Sequence, residues 1–217
     1  MREIWAAMVF ALALAGAHPV VAQAPKPDGI APGANASMES LLAPTEQDRV
    51  LGKPDAPITI IEYASLSCSH CAHFANGVLP KLKEKWLDTG KAKLILRDFP
   101  LDEPALRAAM VARCIPPERF YPLVETFFET QDKWVVAKDW RAALERLTRL
   151  AGIGKKEFDG CISNKAIEDQ VAQSRLTAAQ QLGVNSTPTF FINGRKFEGE
   201  PTLQAFEQLL SGLPAKS

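Results

Sequence analysis

The stretch I-T-I-I-E-Y-A-S-L-S-C-S-H-C, residues 58–71, decides the fold of this chain. Its first half is apolar and β-branched and follows Pro54 and Pro57, which predicts a buried strand entered from a turn. Beyond the second cysteine, apolar residues recur every four positions as far as Trp86, and Gly90 provides a C-cap. The pattern predicts a strand that runs directly into a cysteine pair at the start of a helix over about residues 67–88.

A cysteine pair with this spacing has a specific chemical use at a helix start. Cys68 would lie over unpaired backbone N–H groups and the positive end of the helix dipole, which favours its thiolate. Cys71 lies one turn further in, so Cys68 is the expected nucleophile and Cys71 the resolving thiol. His70, when protonated, would add a positive charge that lowers the pKa of Cys68. A stabilised thiolate makes the disulfide form the better oxidant.

Three other uses of such a pair need weighing. Half of a zinc site has the same spacing, but Cys114 and Cys161 are isolated and far apart, so no metal site is expected. Haem attachment needs a histidine directly after the second cysteine, where Ala72 stands. A purely structural disulfide stays open, although closing so short a loop removes little chain entropy and gives a poor staple.

The chain after this stretch alternates between strand signals and a long helical region. Residues 93–97 predict a second strand, which together with the first suggests a β-α-β crossover. From residue 104 to residue 182 the apolar spacing is helical and fits about five helices. The predicted breaks between them are at Pro116-Pro117, at Gly152 and Gly154, and near Asn164.

The C-terminal part returns to strand signals. Asn193-Gly194 stands between residues 189–192 and residues 195–198, and this dipeptide is the strongest short hairpin signal. Residues 202–210 predict a last helix that ends before Gly212.

Taken together, C-S-H-C at 68–71, the strand before it, T-P-T-F-F-I-N-G at 187–194 and the helices between resemble the DsbA-like branch of the thioredoxin superfamily. The resemblance covers about residues 45–213 and implies an α/β protein, a thioredoxin fold with an inserted all-helical domain. The implied domains are a discontinuous thioredoxin-fold domain at 45–101 and 171–213 and a helical insertion at 102–170.

The resemblance also implies roles for three further residues. Pro188 matches the cis-proline that faces the cysteine pair, and Thr187 matches the residue whose backbone pairs with the substrate like an added strand. Glu62 matches the buried acidic residue that relays a proton to or from Cys71. The alternative for Glu62 is an ordinary exposed glutamate on a strand.

Two positions depart from the strong oxidases of the family. Many of these proteins carry proline where Ser69 stands and valine where Thr187 stands. Both positions tune redox strength, and members with threonine include oxidases and isomerases, so the direction of exchange stays open. No separate dimerisation domain is visible ahead of residue 45, which favours a monomeric oxidase over a dimeric isomerase.

The N-terminus predicts export. One arginine, the apolar residues 4–17 and small residues that end in A-Q-A have the order of a secretory signal peptide over residues 1–24. The apolar run is short of the ~20 residues that a membrane span needs, so cleavage is expected, with an uncleaved anchor as the alternative. Residues 25–44 are rich in Ala, Pro and Gly, which predicts a flexible linker. The expected location is the periplasm, where disulfides persist.

Cys114 and Cys161 remain once the first pair is assigned. Their even number and the exported context favour a second disulfide between two helices of the insertion. Two buried free thiols are the alternative. Some DsbA-like proteins carry such an extra disulfide, and there it affects redox behaviour as well as stability.

Composition excludes some functions, and the resemblance supplies the rest. The 25 basic residues equal the 25 acidic residues and form no run, so neither nucleic acid nor an anionic membrane surface is an expected partner. The resemblance implies a protein disulfide oxidoreductase that needs no cofactor, oxidises reduced unfolded exported proteins and is reoxidised by a membrane quinone-linked oxidase. The alternatives are an isomerase or reductase of the same fold, and an exported thioredoxin-like module that binds copper.

Overall fold

The computed structural model describes residues 37–213. It contains a mixed five-stranded sheet. Its strands are β1 (Val50–Gly52), β2 (Ile58–Ala64), β3 (Ala92–Asp98), β4 (Thr189–Ile192) and β5 (Arg195–Lys196). They lie in the order β1-β3-β2-β4-β5. β2 and β3 are parallel, and the other neighbouring pairs are antiparallel. The predicted β-α-β crossover is therefore present, and β2 has the predicted limits.

The helices fall into three groups. A short helix, α1 (Met38–Leu42), precedes the sheet. The helix after β2, here called the cysteine helix, consists of α2 (Ser69–His73), a π-helical turn (Phe74–Val78), α3 (Leu79–Leu82) and a second π-helical turn (Lys83–Leu87). The remaining helices are α4 (Glu103–Cys114), α5 (Pro117–Glu129), α6 (Gln131–Trp134), α7 (Trp140–Leu150), α8 (Lys155–Ile162), α9 (Lys165–Gln181) and α10 (Leu203–Ser211).

The two faces of the sheet carry different cores, because side chains alternate along β2. Ile60 lies in the larger core with Phe74 of the cysteine helix and Phe206 of α10. Ile61 lies on the other face, in a smaller core with Leu182 at the end of α9. Glu62 is two residues after Ile60, so its side chain is on the face that the cysteine helix covers.

The cysteine helix begins two residues later than predicted and contains two π-helical turns. Apolar residues spaced strictly four apart drift by about 40° per step around a regular α-helix, which has 3.6 residues per turn. Wider turns offset this drift, because their hydrogen bonds run from residue i to residue i−5, as from Leu79 N–H to Phe74 O. Pro80 has no N–H group, so the regular bond to the fourth residue before it cannot form there.

The helical region breaks at the three predicted places, and it also breaks at Thr130 and over residues 135–139, so it contains the six helices α4 to α9 instead of about five. Asn164 caps α9, because its side chain accepts hydrogen bonds from the N–H groups of Ala166 and Ile167. A disulfide joins Cys114 at the end of α4 to Cys161 in α8. The structure differs from the expected domain division at α9. This helix contacts both α4 and β3 of the sheet, and it continues through residue 170 without a break. The expected division between domains at residues 170 and 171 stays a prediction, and it falls inside a continuous helix.

The segment before the sheet differs from the expectation. The predicted flexible linker over residues 25–44 is wrong at its C-terminal end. Residues 38–42 form α1 instead, with Ser37 as its N-cap. Leu42 is 5% exposed and belongs to the smaller core. The guanidinium of Arg97 donates to the carbonyls of Leu41 and Ala43, at 2.7 and 2.8 Å. The signal peptide predicted at 1–24 and the rest of the linker lie outside the described residues.

The C-terminal hairpin is present but shorter than predicted. Asn193 and Gly194 both have positive φ, 46° and 81°, which the tight turn between β4 and β5 requires. β5 has only two residues, instead of the four expected. The structure also adds β1, a three-residue strand without a clear sequence signal.

Within residues 37–213, no helix has both the length and the apolar character that crossing a membrane requires.

The position of Leu42 leads to a prediction about stability. Leu42→Ala should lower the free energy of unfolding by about 2 to 4 kcal/mol, because it leaves a cavity in the smaller core. Met38 lies on the same helix and is 50% exposed, so Met38→Ala should change the free energy by less than about 0.5 kcal/mol. Urea unfolding of the two variants makes the comparison. Equal, small effects would mean that α1 contributes nothing to the core.

The disulfide leads to a second prediction. Cys114 and Cys161 are 47 residues apart, so replacing both by Ala should lower the free energy of unfolding by about 4 kcal/mol in the chain-entropy model. Urea unfolding in a Cys68→Ser, Cys71→Ser background keeps the other pair out of the measurement. Mass spectrometry after alkylation without reduction should leave Cys114 and Cys161 unmodified. Alkylation of both residues would contradict the disulfide.

Candidate active site

The cysteine pair lies where β2 meets the cysteine helix. A tight turn follows β2, and the N–H of Cys68 closes it on the carbonyl of Ser65 at 3.1 Å. Cys68 is the N-cap of α2, with extended backbone angles, and no side-chain hydrogen bond caps the helix. The Cys68 sulfur is therefore the side-chain atom nearest to the unpaired N–H groups of the first helical turn.

Several contacts favour the thiolate of Cys68. Hydrogen bonding from the Cys71 thiol lowers the pKa of Cys68 to about 5, and the backbone N–H groups of Cys71 and His70 lower it further. Burial acts in the opposite direction but is outweighed. The contribution of His70 comes from its backbone, whereas its ring is exposed. The charge on the His70 ring, expected from the sequence to lower the pKa of Cys68 further, stays a prediction.

Cys71 and Glu62 form the buried side of the site. Cys71 is fully buried, and burial raises the pKa of its thiol, as do the hydrogen bond to Cys68 and the nearby charge of Glu62. Glu62 is 2% exposed, and burial, with a smaller effect of the Cys68 charge, raises its pKa to about 8. Its Oε1 has no hydrogen-bond partner among the described residues. Glu62 is therefore not an exposed strand residue but a buried carboxyl that titrates near neutral pH.

Thr187 and Pro188 complete the site from a distant part of the chain. The peptide bond between them is cis, as the resemblance implies. The Cys68 thiol donates to the carbonyl oxygen of Thr187 at 3.2 Å. The Thr189 hydroxyl donates to the Ser186 carbonyl at 2.7 Å and so ties the ends of this loop together. The loop places its backbone against the nucleophilic sulfur.

Two residues near the pair had no sequence signal. The hydroxyl oxygen of Ser65 accepts a hydrogen bond from the N–H of Leu101 at 3.2 Å, and the Ser65 backbone also bonds to Cys71. Gln131, in the helical region, donates to two backbone carbonyls beside Cys68. Both contacts join segments that are far apart in the sequence, so no local pattern could reveal them.

The described residues offer little to a metal ion. Between residues 37 and 213, no group of three or more His, Cys, Asp or Glu side chains is arranged to hold one. His73, which also lies on α2, is exposed. Within the part of the chain that the structure describes, the copper-binding alternative has only the two thiols of the pair to draw on.

Comparison with known proteins identifies the class to which this fold and site belong. The family model described as thioredoxin matches residues 44–211. The crystal structure of alpha-DsbA1 from Wolbachia pipientis is 36% identical, with a TM-score of 0.75, and covers 81% of this chain and 94% of that chain. A protein-disulfide isomerase from Novosphingobium aromaticivorans is 26% identical, with a TM-score of 0.67, over 76% of this chain and 96% of its own.

A curated relative extends the comparison. A Rickettsia bellii protein, named as a protein-disulfide oxidoreductase, is 32% identical over 154 residues, which is 70% of this chain and 60% of the relative. The chain thus spans less than two thirds of that relative's length. The fold and the cysteine pair define a protein of the thioredoxin superfamily. Within that superfamily, the chain belongs to the DsbA-like family.

The burial of Glu62 predicts how stability depends on pH. The pKa of its carboxyl is raised from 4.5 to about 8, so the proton is held more tightly in the folded state. The wild-type protein should therefore lose stability relative to Glu62→Gln as pH rises from 4.5 to about 8, by at most about 1.4 kcal/mol per pH unit. Urea unfolding of the oxidised proteins, in which Cys68 and Cys71 do not titrate and Cys68 carries no charge, measures the part of this difference that burial of Glu62 causes.

Glu198→Gln is the control for that series, because Glu198 is exposed and lies away from the pair. Its stability difference from wild type should not change over the same pH range. A pH-independent difference for Glu62→Gln as well would show that the Glu62 carboxyl is not perturbed.

Proposed function

We propose that this protein introduces disulfides into folding exported proteins by thiol-disulfide exchange at Cys68 and Cys71. The observation that supports it is the asymmetry of the two thiols. The pKa of Cys68 is lowered to about 5, and that of the buried Cys71 is raised. Because a stabilised Cys68 thiolate favours the dithiol form, the Cys68-Cys71 disulfide is expected to be a strong oxidant.

The proposed reaction has two exchange steps. A substrate thiolate attacks the Cys68 sulfur of the oxidised pair, the bond between Cys68 and Cys71 breaks, and Cys71 leaves as a thiolate that takes up a proton. A second substrate thiolate then attacks the substrate sulfur of the mixed disulfide, and Cys68 leaves as a stable thiolate. The substrate loses two electrons and two protons, and the pair gains both electrons.

Glu62 is proposed as the proton donor and acceptor for Cys71. Cys71 is buried, and its thiolate is strongly disfavoured, so it needs a nearby proton source when it leaves and a nearby base when the pair is reoxidised. Glu62 lies on the sheet face under the cysteine helix, and its pKa of about 8 allows it to exchange a proton near neutral pH. His70, exposed between the two cysteines, is proposed to stabilise the Cys68 thiolate further when its ring is protonated.

Thr187 and Pro188 are proposed to bind the substrate chain. The Thr187 carbonyl lies 3.2 Å from the Cys68 sulfur and accepts from it when the thiol is protonated, so it occupies the place beside the sulfur where a substrate backbone would pair. A substrate bound in this way would extend along the loop before β4, with its sulfur opposite Cys68.

The cellular setting is part of the same proposal. We expect a periplasmic monomer whose substrates are reduced, unfolded exported proteins. A membrane quinone-linked oxidase would accept the electrons from the reduced pair and regenerate its disulfide. The isomerase alternative is favoured by the likeness to the Novosphingobium aromaticivorans protein, so the direction of exchange needs a measurement.

The reduction potential decides that direction. Equilibration of the Cys68-Cys71 pair with glutathione should give a value well above that of thioredoxin, about −270 mV, and towards the strongly oxidising end near −120 mV. The pH dependence of Cys68 alkylation should show a midpoint near pH 5, since the lowered pKa keeps the thiolate populated above it. A potential close to that of thioredoxin would contradict the oxidase.

Single cysteine variants test the assigned roles. Cys71→Ser, with its Cys68 first converted to a mixed disulfide by oxidised glutathione, should exchange with a reduced substrate protein that has one cysteine. Glutathione leaves as the thiol, and the mixed disulfide between Cys68 and the substrate should accumulate because the resolving thiol is missing. Cys68→Ser should form none, because Cys71 is fully buried. Mixed disulfides on Cys71 instead of Cys68 would reverse the assignment.

A further inference from the structure

Gln131 makes an unusual pair of contacts from the helical region to the cysteine pair. Its Nε2 group donates to the carbonyl of Leu66 at 2.8 Å and to the carbonyl of Cys68 at 3.0 Å. A side-chain amide carries two N–H hydrogens on this nitrogen, so each acceptor receives one of them. These bonds span 65 and 63 residues of sequence.

The two carbonyls that Gln131 holds belong to the backbone that carries the nucleophile. Leu66 is in the turn after β2, and Cys68 is the N-cap of α2. The Cys68 carbonyl also accepts the first helical hydrogen bond, from the N–H of Ala72 at 3.0 Å. No side chain caps α2. The amide of Gln131 therefore supplies a side-chain restraint on the peptide groups that orient the start of this helix.

Gln131 is the first residue of α6, a short helix that is anchored in the core. Trp134 in the same short helix is fully buried, and its indole N–H donates to the carbonyl of Phe127 at 2.9 Å. The N–H of Val135 donates to the carbonyl of Gln131 at 3.0 Å and closes the helical turn. Because α6 is anchored in the core, its amide can hold the junction in one orientation.

We propose that Gln131 is a positioning residue, whose amide keeps the N–H groups at the start of α2 aligned with the Cys68 sulfur during exchange. Those N–H groups belong to His70 and Cys71, whose backbones stabilise the Cys68 thiolate. Losing the amide frees the peptide groups beside Cys68 to rotate, so these dipoles point less directly at the sulfur. The inference rests on the proposed function in one respect, since it takes the aligned N–H groups to serve thiol-disulfide exchange at Cys68.

Asn76 offers a matched control. Its Nδ2 group, in the cysteine helix, donates to the carbonyl of Phe128 at 3.2 Å. This bond also joins the cysteine helix to the helical region, but it touches neither Cys68 nor the turn before it. Asn76→Leu and Gln131→Met both remove an amide while they keep the side chain close to its original size.

The experiment measures the Cys68 pKa from the pH dependence of thiolate absorbance in the reduced protein. Gln131→Met should raise this pKa by about half a unit or more, because the backbone N–H groups would point less directly at the Cys68 thiolate. Oxidation of a model dithiol should slow by about twofold or more. Asn76→Leu should lower the urea midpoint by a similar amount to Gln131→Met but leave the Cys68 pKa unchanged.

Two outcomes would overturn the proposal. One is that neither variant shifts the Cys68 pKa, which would make Gln131 an ordinary structural tie. The other is that both variants shift the pKa equally, which would assign the effect to looser packing of the helical region. Gln131→Asn keeps a donor with shorter reach, so it should give an intermediate shift and covers the case in which Gln131→Met does not fold.

The same data separate this proposal from the proposed function. If the wild-type protein oxidises no dithiol, the oxidase assignment fails, but the comparison of Cys68 pKa values still tests Gln131. If the wild-type protein oxidises dithiols and Gln131→Met keeps the wild-type pKa, the oxidase assignment stands and the positioning role fails.

Discussion

The site depends on the unpaired N–H groups at the start of α2. A helix always begins with such groups, and here no polar side chain caps them. Cys68 occupies the N-cap position, so its sulfur is the acceptor that these groups can reach. The Cys71 thiol, one turn further in, donates to the same sulfur, and together with the backbone N–H groups it makes the Cys68 thiol acidic, while Cys71 itself is buried and protonated. The difference in pKa follows from position along one helix turn.

Burying a carboxyl group under this helix costs stability when the group is charged. Glu62 lies on a central strand between apolar neighbours, and its raised pKa shows that the charged form is disfavoured there. A leucine in its place would pack without that penalty. The carboxyl is useful at this position because it can exchange a proton with Cys71, whose fully buried thiol water does not reach.

The helical region also supports the cysteine pair. Its helices pack on the cysteine helix within one continuous core, and the disulfide between Cys114 and Cys161 fixes two of them to each other. From this support Gln131 reaches the carbonyl of the nucleophile. The nucleophile is thus held from two sides, by Gln131 from the insertion and by the Thr187 carbonyl from the loop before β4.

Local patterns in the sequence determined β2, its junction with the cysteine pair, three of the helix breaks and the turn at Asn193-Gly194, because backbone preferences and hydrophobic periodicity act over a few residues. The same patterns were misleading before residue 45, since a short helix in a segment rich in small residues is stabilised mainly by docking Leu42. Only the tertiary structure decided which groups meet at Cys68. Thr187 is 119 residues from it and Gln131 is 63, and such polar contacts depend on how distant segments pack together.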